Sequence, residues 1–184
     1  MAVSLFEAGC VCAGLYAPSY GCYLFRGHVD EADLTIGELR TIAREQNARG
    51  QLRIILVDYL QLLRAPGAER REREIAMISA GLKALAKELD VTVVALSQLN
   101  RTLESRPNKR PHLGDLRESG ALEQDADVVM FIYRDEYYNK KSEDAGVAEV
   151  IVSKQRQGPV GVARVGFVGE RTLFTNEVPN LQQS

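Results

Sequence analysis

Four apolar residues, Ile54-Ile55-Leu56-Val57, run straight into Asp58, and no other stretch limits the possible folds as tightly. A short, partly β-branched run of this kind suits a strand buried on both faces, as in a parallel sheet. In open α/β sheets, ligands sit just beyond the carboxyl ends of the strands. A carboxylate there can hold the Mg²⁺ that bridges nucleotide phosphates; taken alone, Asp58 could equally just start a loop. The flanking segments decide between the two.

After a turn at Arg64-Ala65-Pro66-Gly67-Ala68, a helix is expected from about Glu69 to Glu88. Its Ile75, Ile78, Leu82, Leu85 and Leu89 recur at three- and four-residue intervals and make one stripe for the sheet. Val91–Ser97 is then a second buried strand, and strand, helix, strand is a βαβ crossover that makes the two strands parallel. Upstream, Thr35-Ile36-Gly37-Glu38 is a capping box. Ile36, Leu39 and Ala43 carry that helix to about Asn47, with Gly50 closing it. A short helix around Gly120–Asp125 leads into a third buried strand, Asp127–Tyr133. Val147–Ser153, Val162–Phe167 and Thr172–Phe174 read as short antiparallel strands. The fold class is α/β: a mostly parallel sheet flanked by helices, with antiparallel strands at the C-terminal end.

The 184 residues suit one domain with a real core. A net charge of −2 excludes global basicity, so any nucleic-acid site must be a local patch. No apolar run approaches about 18 residues, so no membrane span is expected, and the N-terminus lacks the basic region of a secretory signal. Cys10, Cys12 and Cys22 match neither zinc spacing nor a disulfide framework, which points to reduced thiols and a cytoplasmic chain. Residues 1–28 have no clean period; they form an atypical leader, whether a hairpin, a cap or sequence outside the fold. Residues 29–176 form the domain, and 177–184 a disordered tail.

Three groups of residues carry chemistry. The second strand ends Ser97-Gln98, whose polar groups would emerge beside Asp58. A Gln amide both donates and accepts, which suits positioning of a water or sensing of a γ-phosphate; the alternative is an ordinary polar strand exit. Lys154-Gln155-Arg156 precedes Gly158-Pro159 and sets two cations near a tight turn. They are either surface decoration or an arginine finger reaching across a subunit boundary. Residues 101–117 are polar and structureless by pattern. Arg101, Arg106, Lys109, Arg110 and Arg117 against Glu104 and Asp115 leave a local charge of +3. With Arg117-Glu118-Ser119-Gly120, this loop is either solvated or tracks a single-stranded phosphate backbone. His28 and His112 have no metal-ligand partners nearby in sequence.

Six runs now fall into one order: Asp58-Tyr59-Leu60-Gln61-Leu62, Leu82–Leu89, Ser97-Gln98-Leu99-Asn100-Arg101, Asp115-Leu116-Arg117-Glu118-Ser119-Gly120, Glu123–Asp127 and Lys154–Pro159. From about residue 30 to 176 the chain resembles the C-terminal motor domain of the bacterial replicative helicases, the DnaB family. That resemblance implies a RecA-like fold, with hexameric rings that use ATP and Mg²⁺ to move along single-stranded DNA and unwind duplex. It also implies that Asp58 is the Walker B carboxylate bound to Mg²⁺ and Gln98 the γ-phosphate sensor. Lys154 and Arg156 become the nucleotide-binding finger acting in trans and its companion. Arg117, Glu118 and Gly120, with Lys109 and Arg110, become the DNA-binding set.

The departures are as informative. No G-x-x-x-x-G-K-[ST] occurs in the 184 residues, so the phosphate-cradling loop, its Lys and its hydroxyl are missing from them. The first P-loop βα unit is therefore expected to be absent, and Glu7 only faintly echoes the family's catalytic glutamate. One reading is a partial helicase motor domain; a second is a non-catalytic truncated paralogue that binds DNA or full-length subunits. A third is a truncated product whose bare strand edges favour aggregation. Recombinase ATPases fit on fold alone, but Ser97–Arg101 and Asp115–Gly120 favour the helicase.

Overall fold

The computed structural model describes residues 34–50, 52–176 and 178, with the backbone alone for Ala2–Phe6 and for 117–119. The three cysteines, Glu7 and His28 lie outside the described residues, as does the tail apart from Val178. Seven strands form one sheet in the order β2-β3-β1-β4-β5-β6-β7. The strands are β1 (Ala2–Phe6), β2 (Ile54–Val57), β3 (Thr92–Ser97), β4 (Val128–Tyr133), β5 (Val147–Gln155), β6 (Gly161–Val168) and β7 (Leu173–Thr175). The main helices are α1 (Ile36–Arg49) and α2 (Arg71–Leu89), with short turns α3 (Thr102–Ser105), α4 (Gly120–Asp125) and α5 (Asp135–Tyr138).

The crossover is as expected. Strands β2 and β3 pair in parallel, from Ile54↔Thr92 to Val57↔Ala95. The α2 stripe of Ile75, Ile78, Leu82 and Leu85 is buried against them, and Leu89 is partly so. Helix α2 ends on Asp90 in the left-handed region (φ 53°), a conformation Asp tolerates better than most side chains. Strands β2, β3 and β4 share one direction. Strand β1 lies between β3 and β4 and runs against both, with Ala2 opposite Ser97 and Phe131. The bare edge expected at that place is therefore filled by a segment whose sequence carried no strand signal. Strands β5 to β7 pair antiparallel as expected, and β4 joins them, also antiparallel, through β5.

Burial corrects one expectation. Strand β2 is not buried on both faces: Ile55 and Val57 face the core, whereas Ile54 and Leu56 are 38% and 45% exposed. The core lies between the sheet and α1, α2 and α4, where Val93, Ala95, Val129 and Phe131 meet the helices. Among the described residues nothing comparable covers the other side of β2. Two further expectations change. Gly50 ends α1 in an extended conformation (φ 178°) that any residue adopts, so no glycine-specific cap is needed. Residues 101–117 are not structureless: they contain α3 and the start of a tight 3₁₀ segment over Leu113–Ser119.

Helix α1 starts with the capping box: Glu38 N–H donates to Thr35 Oγ1 (3.2 Å), and Thr35 N–H to Glu38 Oε2 (2.8 Å). It is tied to the end of the β2 segment by Ile36 N–H to the Arg64 carbonyl (2.9 Å). Ile36 sits against α2 where Gly81 leaves room: a Cβ on Gly81 would meet Ile36 Cγ1 at 2.5 Å. Gly→Ala in an open helix stabilises by about 1 kcal/mol, but here the added methyl overpacks the α1–α2 contact. Gly81→Ala should therefore lower stability in urea unfolding by about 1–3 kcal/mol. Ile36→Ala in the same chain should recover part of that loss, as two touching residues do in a double-mutant cycle.

Candidate functional site

The alternation of β2 places Asp58 on the same open face as Ile54 and Leu56, and the alternation of β3 places Gln98 there beside Leu96. Asp58, Tyr59, Leu96, Ser97, Gln98 and Leu99 line one cleft of about 410 Å³ at the carboxyl ends of the two parallel strands. That is where open α/β sheets bind ligands. Asp58 and Gln98 thus lie side by side, as the sequence led one to expect. Among the described residues, neither the Asp58 carboxylate nor the Gln98 side-chain amide has a hydrogen-bond or ion-pair partner. Both are open to a ligand.

The cleft has a brace that residue types alone did not reveal. Gln61, in the 3₁₀ turn Leu60–Leu62, donates from Nε2 to Ser97 Oγ (3.0 Å), and its Oε1 accepts from the Gln98 backbone N–H (3.3 Å). One amide therefore ties the exit of β2 to the exit of β3. The turn is itself anchored: Arg71, on the first turn of α2, donates to the Gln61 carbonyl (2.6 Å). Glu74 accepts from the Ala65 N–H (3.2 Å) and pairs with Arg71.

Lys154 and Arg156 are elsewhere. Strand β5 brings Gln155 opposite Val128, the first residue of β4. Val128 is level with Leu5, which faces Val94, so the pair lies level with the middle of β3, away from the Gln98 exit. Neither cation projects freely. Lys154 Nζ donates to the Glu123 and Gln124 carbonyls, the latter at 3.1 Å. Arg156 Nη2 donates to the Gln124 carbonyl (2.6 Å), and its Nε lies 3.4 Å from Asp127 Oδ1. Burial, with the Arg156 charge second, pushes the Lys154 ammonium below its usual range. Asp127 also pairs with Lys83 on α2.

The basic segment is ordered from within. Asp115 is buried, and its Oδ2 accepts from Arg106 (2.9 Å) and from the His112 backbone N–H (2.9 Å). Its carbonyl accepts from the Asn100 N–H (3.1 Å), joining the segment to the Gln98 exit. Counted in the sequence only as a charge, Asp115 organises the loop; a buried carboxylate cannot be told from a solvated one by residue type. Arg110 pairs with Glu149 and sits over the Tyr133 ring (5.6 Å), and Lys109 lies over Tyr138 (5.8 Å). Burial and the hydrogen bond to Asp135 push the Tyr133 hydroxyl up to about 12. Gly120 opens α4 and is exposed. The side chains of Arg117 and Glu118 lie outside the described set, so Gly120 alone of that trio has a described environment. Among the described residues no acidic, His or Cys cluster could hold a metal ion by itself, and no helix is long and apolar enough to cross a membrane.

If Gln61 braces the cleft, Gln61→Ala should raise the hydrogen-exchange rate of the Gln98 amide by about tenfold, the loss expected for one hydrogen bond of about 1 kcal/mol or slightly more. Core amides of α2 should keep their protection. Unchanged Gln98 exchange would show the brace to be idle.

Comparison with known proteins gives a consistent result. Residues 28–176 match the family described as the DnaB-like helicase C-terminal domain. The chain is 58% identical over 165 residues to the replicative DNA helicase DnaB of Pasteurella multocida, covering 89% of this chain and 34% of that protein. Among solved structures, it is similar to an ATPase domain (46% identity, TM-score 0.77, 80% of this chain and 53% of that one). It is also similar to a DnaB-like replicative helicase studied with primase (46% identity, TM-score 0.76, 79% and 36%). The chain spans about a third of the length of the curated relatives it matches.

Proposed function

Because this chain belongs to the DnaB-like helicase C-terminal domain family, we propose that it supplies the Walker B and sensor part of a replicative helicase motor. Such a motor couples ATP hydrolysis to movement along single-stranded DNA and to duplex unwinding in the cytoplasm. The observation that carries this reading is the adjacency of Asp58 and Gln98 on neighbouring parallel strands above one cleft. An unpaired carboxylate on an oxygen-lined strand exit fits Mg²⁺, which takes one or two carboxylates plus phosphate and water. When bound, the Mg²⁺–ATP supplies the phosphoryl group, with the ion spreading its charge. Asp58 would hold the ion, and Gln98 would offer a donor and an acceptor to the γ-phosphate and water. Gln61 holds both exits in register.

Lys154 and Arg156 stand at the end of a strand away from the cleft, committed to the end of α4. Their role is proposed for a nucleotide on the next subunit of a hexameric ring, where an Arg fork stabilises charge on the transferring group. Arg117, Glu118 and Gly120, with Lys109 and Arg110 behind them, are proposed to face the single-stranded DNA.

Two observations favour a second reading, a non-catalytic paralogue that binds DNA or full-length subunits. The 184 residues contain no G-x-x-x-x-G-K-[ST], and β1 fills the place between β3 and β4. Both readings require that this chain alone turn over ATP at least about 100-fold more slowly than an intact ring, since one missing donor to the reacting charge costs that much. Turnover by the purified chain at the rate of an intact motor would overturn that requirement. Mixing then separates the readings. Restored turnover with a subunit that supplies the phosphate loop, lost again in Asp58→Asn, supports the motor; association without turnover supports the paralogue.

A further inference from the structure

Strand β1 is the misfit of the sheet. Strands β2, β3 and β4 run in one direction, and β1 runs against them from within, its amino end at Ala2 level with Ser97. Sheets that mix directions in this way carry the reversed strand at an edge. Direction matters for the cleft. A phosphate loop follows the carboxyl end of a strand and opens a helix. To reach the Asp58–Gln98 cleft, such a strand must end where β2 and β3 end, so it must run parallel to them. Strand β2 already takes one side of β3, and β1 holds the seat on the other. Reversed as it is, β1 ends at Phe6, level with Val93, at the end of β3 away from the cleft.

A second observation points to the same occupant. The helix that follows a phosphate loop starts at the phosphates and runs back across a face of the sheet. The face toward α1, α2 and α4 is already filled. The other face is apolar across three strands: Ile54 and Leu56 are exposed, and Val94, Leu96, Val128 and Met130 are half-buried beside them. Parallel strands have both faces covered by helices, yet among the described residues nothing comparable covers β2 on this side. The seat in the sheet and the bare face meet at the cleft, where a loop joining a strand to a helix would lie.

We propose that this chain is completed by a strand–phosphate loop–helix unit of another polypeptide. The incoming strand replaces β1 between β3 and β4, in parallel, and its helix covers Ile54 and Leu56. Strand β1 is then a placeholder that satisfies the facing ladders of β3 and β4 until the unit docks by strand addition. The identity of the occupant rests on the motor function proposed above; the replaceability of β1 rests on the sheet alone. The placeholder also sets the affinity, because the unit binds only the fraction of chains from which β1 has withdrawn.

Strand β3 supplies its own control for a hydrogen-exchange test. The Thr92 N–H donates to the Arg53 carbonyl, toward β2. Alternation then points the Val94 and Leu96 N–H groups to β2 and those of Val93 and Ala95 to β1. In the purified chain, Val93 and Ala95 are expected to exchange about tenfold faster than Val94 and Leu96, because withdrawal of β1 is a local opening. Equal rates would overturn the replaceable strand. The probe for the occupant is a synthetic peptide: an apolar strand of five residues to match β1, a G-x-x-x-x-G-K-T loop and an amphipathic helix of about four turns. Saturating peptide should slow Val93 and Ala95 by about tenfold and release the amides of Val3 and Leu5. A peptide that binds while Val3 and Leu5 stay protected would overturn the replacement. Leu5→Pro, which removes a ladder donor from β1 alone, should tighten the peptide by about fivefold; if that variant does not fold, the wild-type exchange decides. Leu56→Gln should weaken the peptide by about fivefold, through lost apolar burial, and unchanged binding would overturn the helix seat. A dimer of the chain alone that Leu56→Gln disperses would assign the face to a second copy instead. None of these readouts uses nucleotide. If the peptide docks and the complex still binds no Mg²⁺–ATP, the motor reading fails and the seat stands; failure to dock removes the seat whatever turnover mixed subunits show.

Discussion

The packing of α2 across β2 and β3 is the constraint from which the site follows. Burying Ile75, Ile78, Leu82 and Leu85 on one sheet face forces the chain to return beside β2 and parallel to it. Once that ladder exists, the two strand exits have no choice but to be neighbours. Asp58 and Gln98 are then brought together by the apolar stripe of a helix that neither of them touches. The first turn of the same helix supplies Arg71 and Glu74, which hold the turn that carries Gln61. Core burial and site geometry are thus consequences of one element.

The start of β4 and the end of β5 are organised by a different logic. No apolar stripe decides where Lys154 and Arg156 go; carbonyls and carboxylates do. Asp127 gathers Lys83 from α2 and Arg156 from the turn after β5, and the last α4 carbonyls accept from Lys154 and Arg156. Networks of this kind are satisfied only as a set, and a half-satisfied one is costly. The separation also divides the sheet: the cleft forms at the β2 and β3 exits, and the cation pair gathers at the start of β4. On the proposed reading, a complete catalytic set needs a further subunit that supplies the phosphate loop.

This difference explains what could be read in advance. The crossover, α1 with its capping box and the antiparallel meander were visible because they rest on period and capping, which are local. So was the adjacency of Asp58 and Gln98, which follows from the crossover. The exposure of Ile54 and Leu56 was not, since the same apolar run serves a strand covered on one side or on two. Strand β1 carried no periodic signal because its partners lie about 90 residues away, in β3, and farther still in β4. The brace from Gln61 and the burial of Asp115 are likewise tertiary facts. A Gln or Asp shows its partners only when the fold supplies them.

The basic segment illustrates how such facts change a charge argument. Five cations against two carboxylates looked like a patch of +3. In the fold, Arg106 is committed to Asp115, and Arg110 to Glu149, a carboxylate from outside the segment. These two cations order the loop more than they advertise it. Phosphate binding draws its strength from the number of cations that release counterions. With two of five neutralised internally, the segment offers fewer free cations than its sequence suggests. On the proposed function, attachment to a strand would draw on several copies, where each further contact is intramolecular. The buried carboxylate and the carboxylate from outside the segment thus turn an apparent charge patch into an ordered loop.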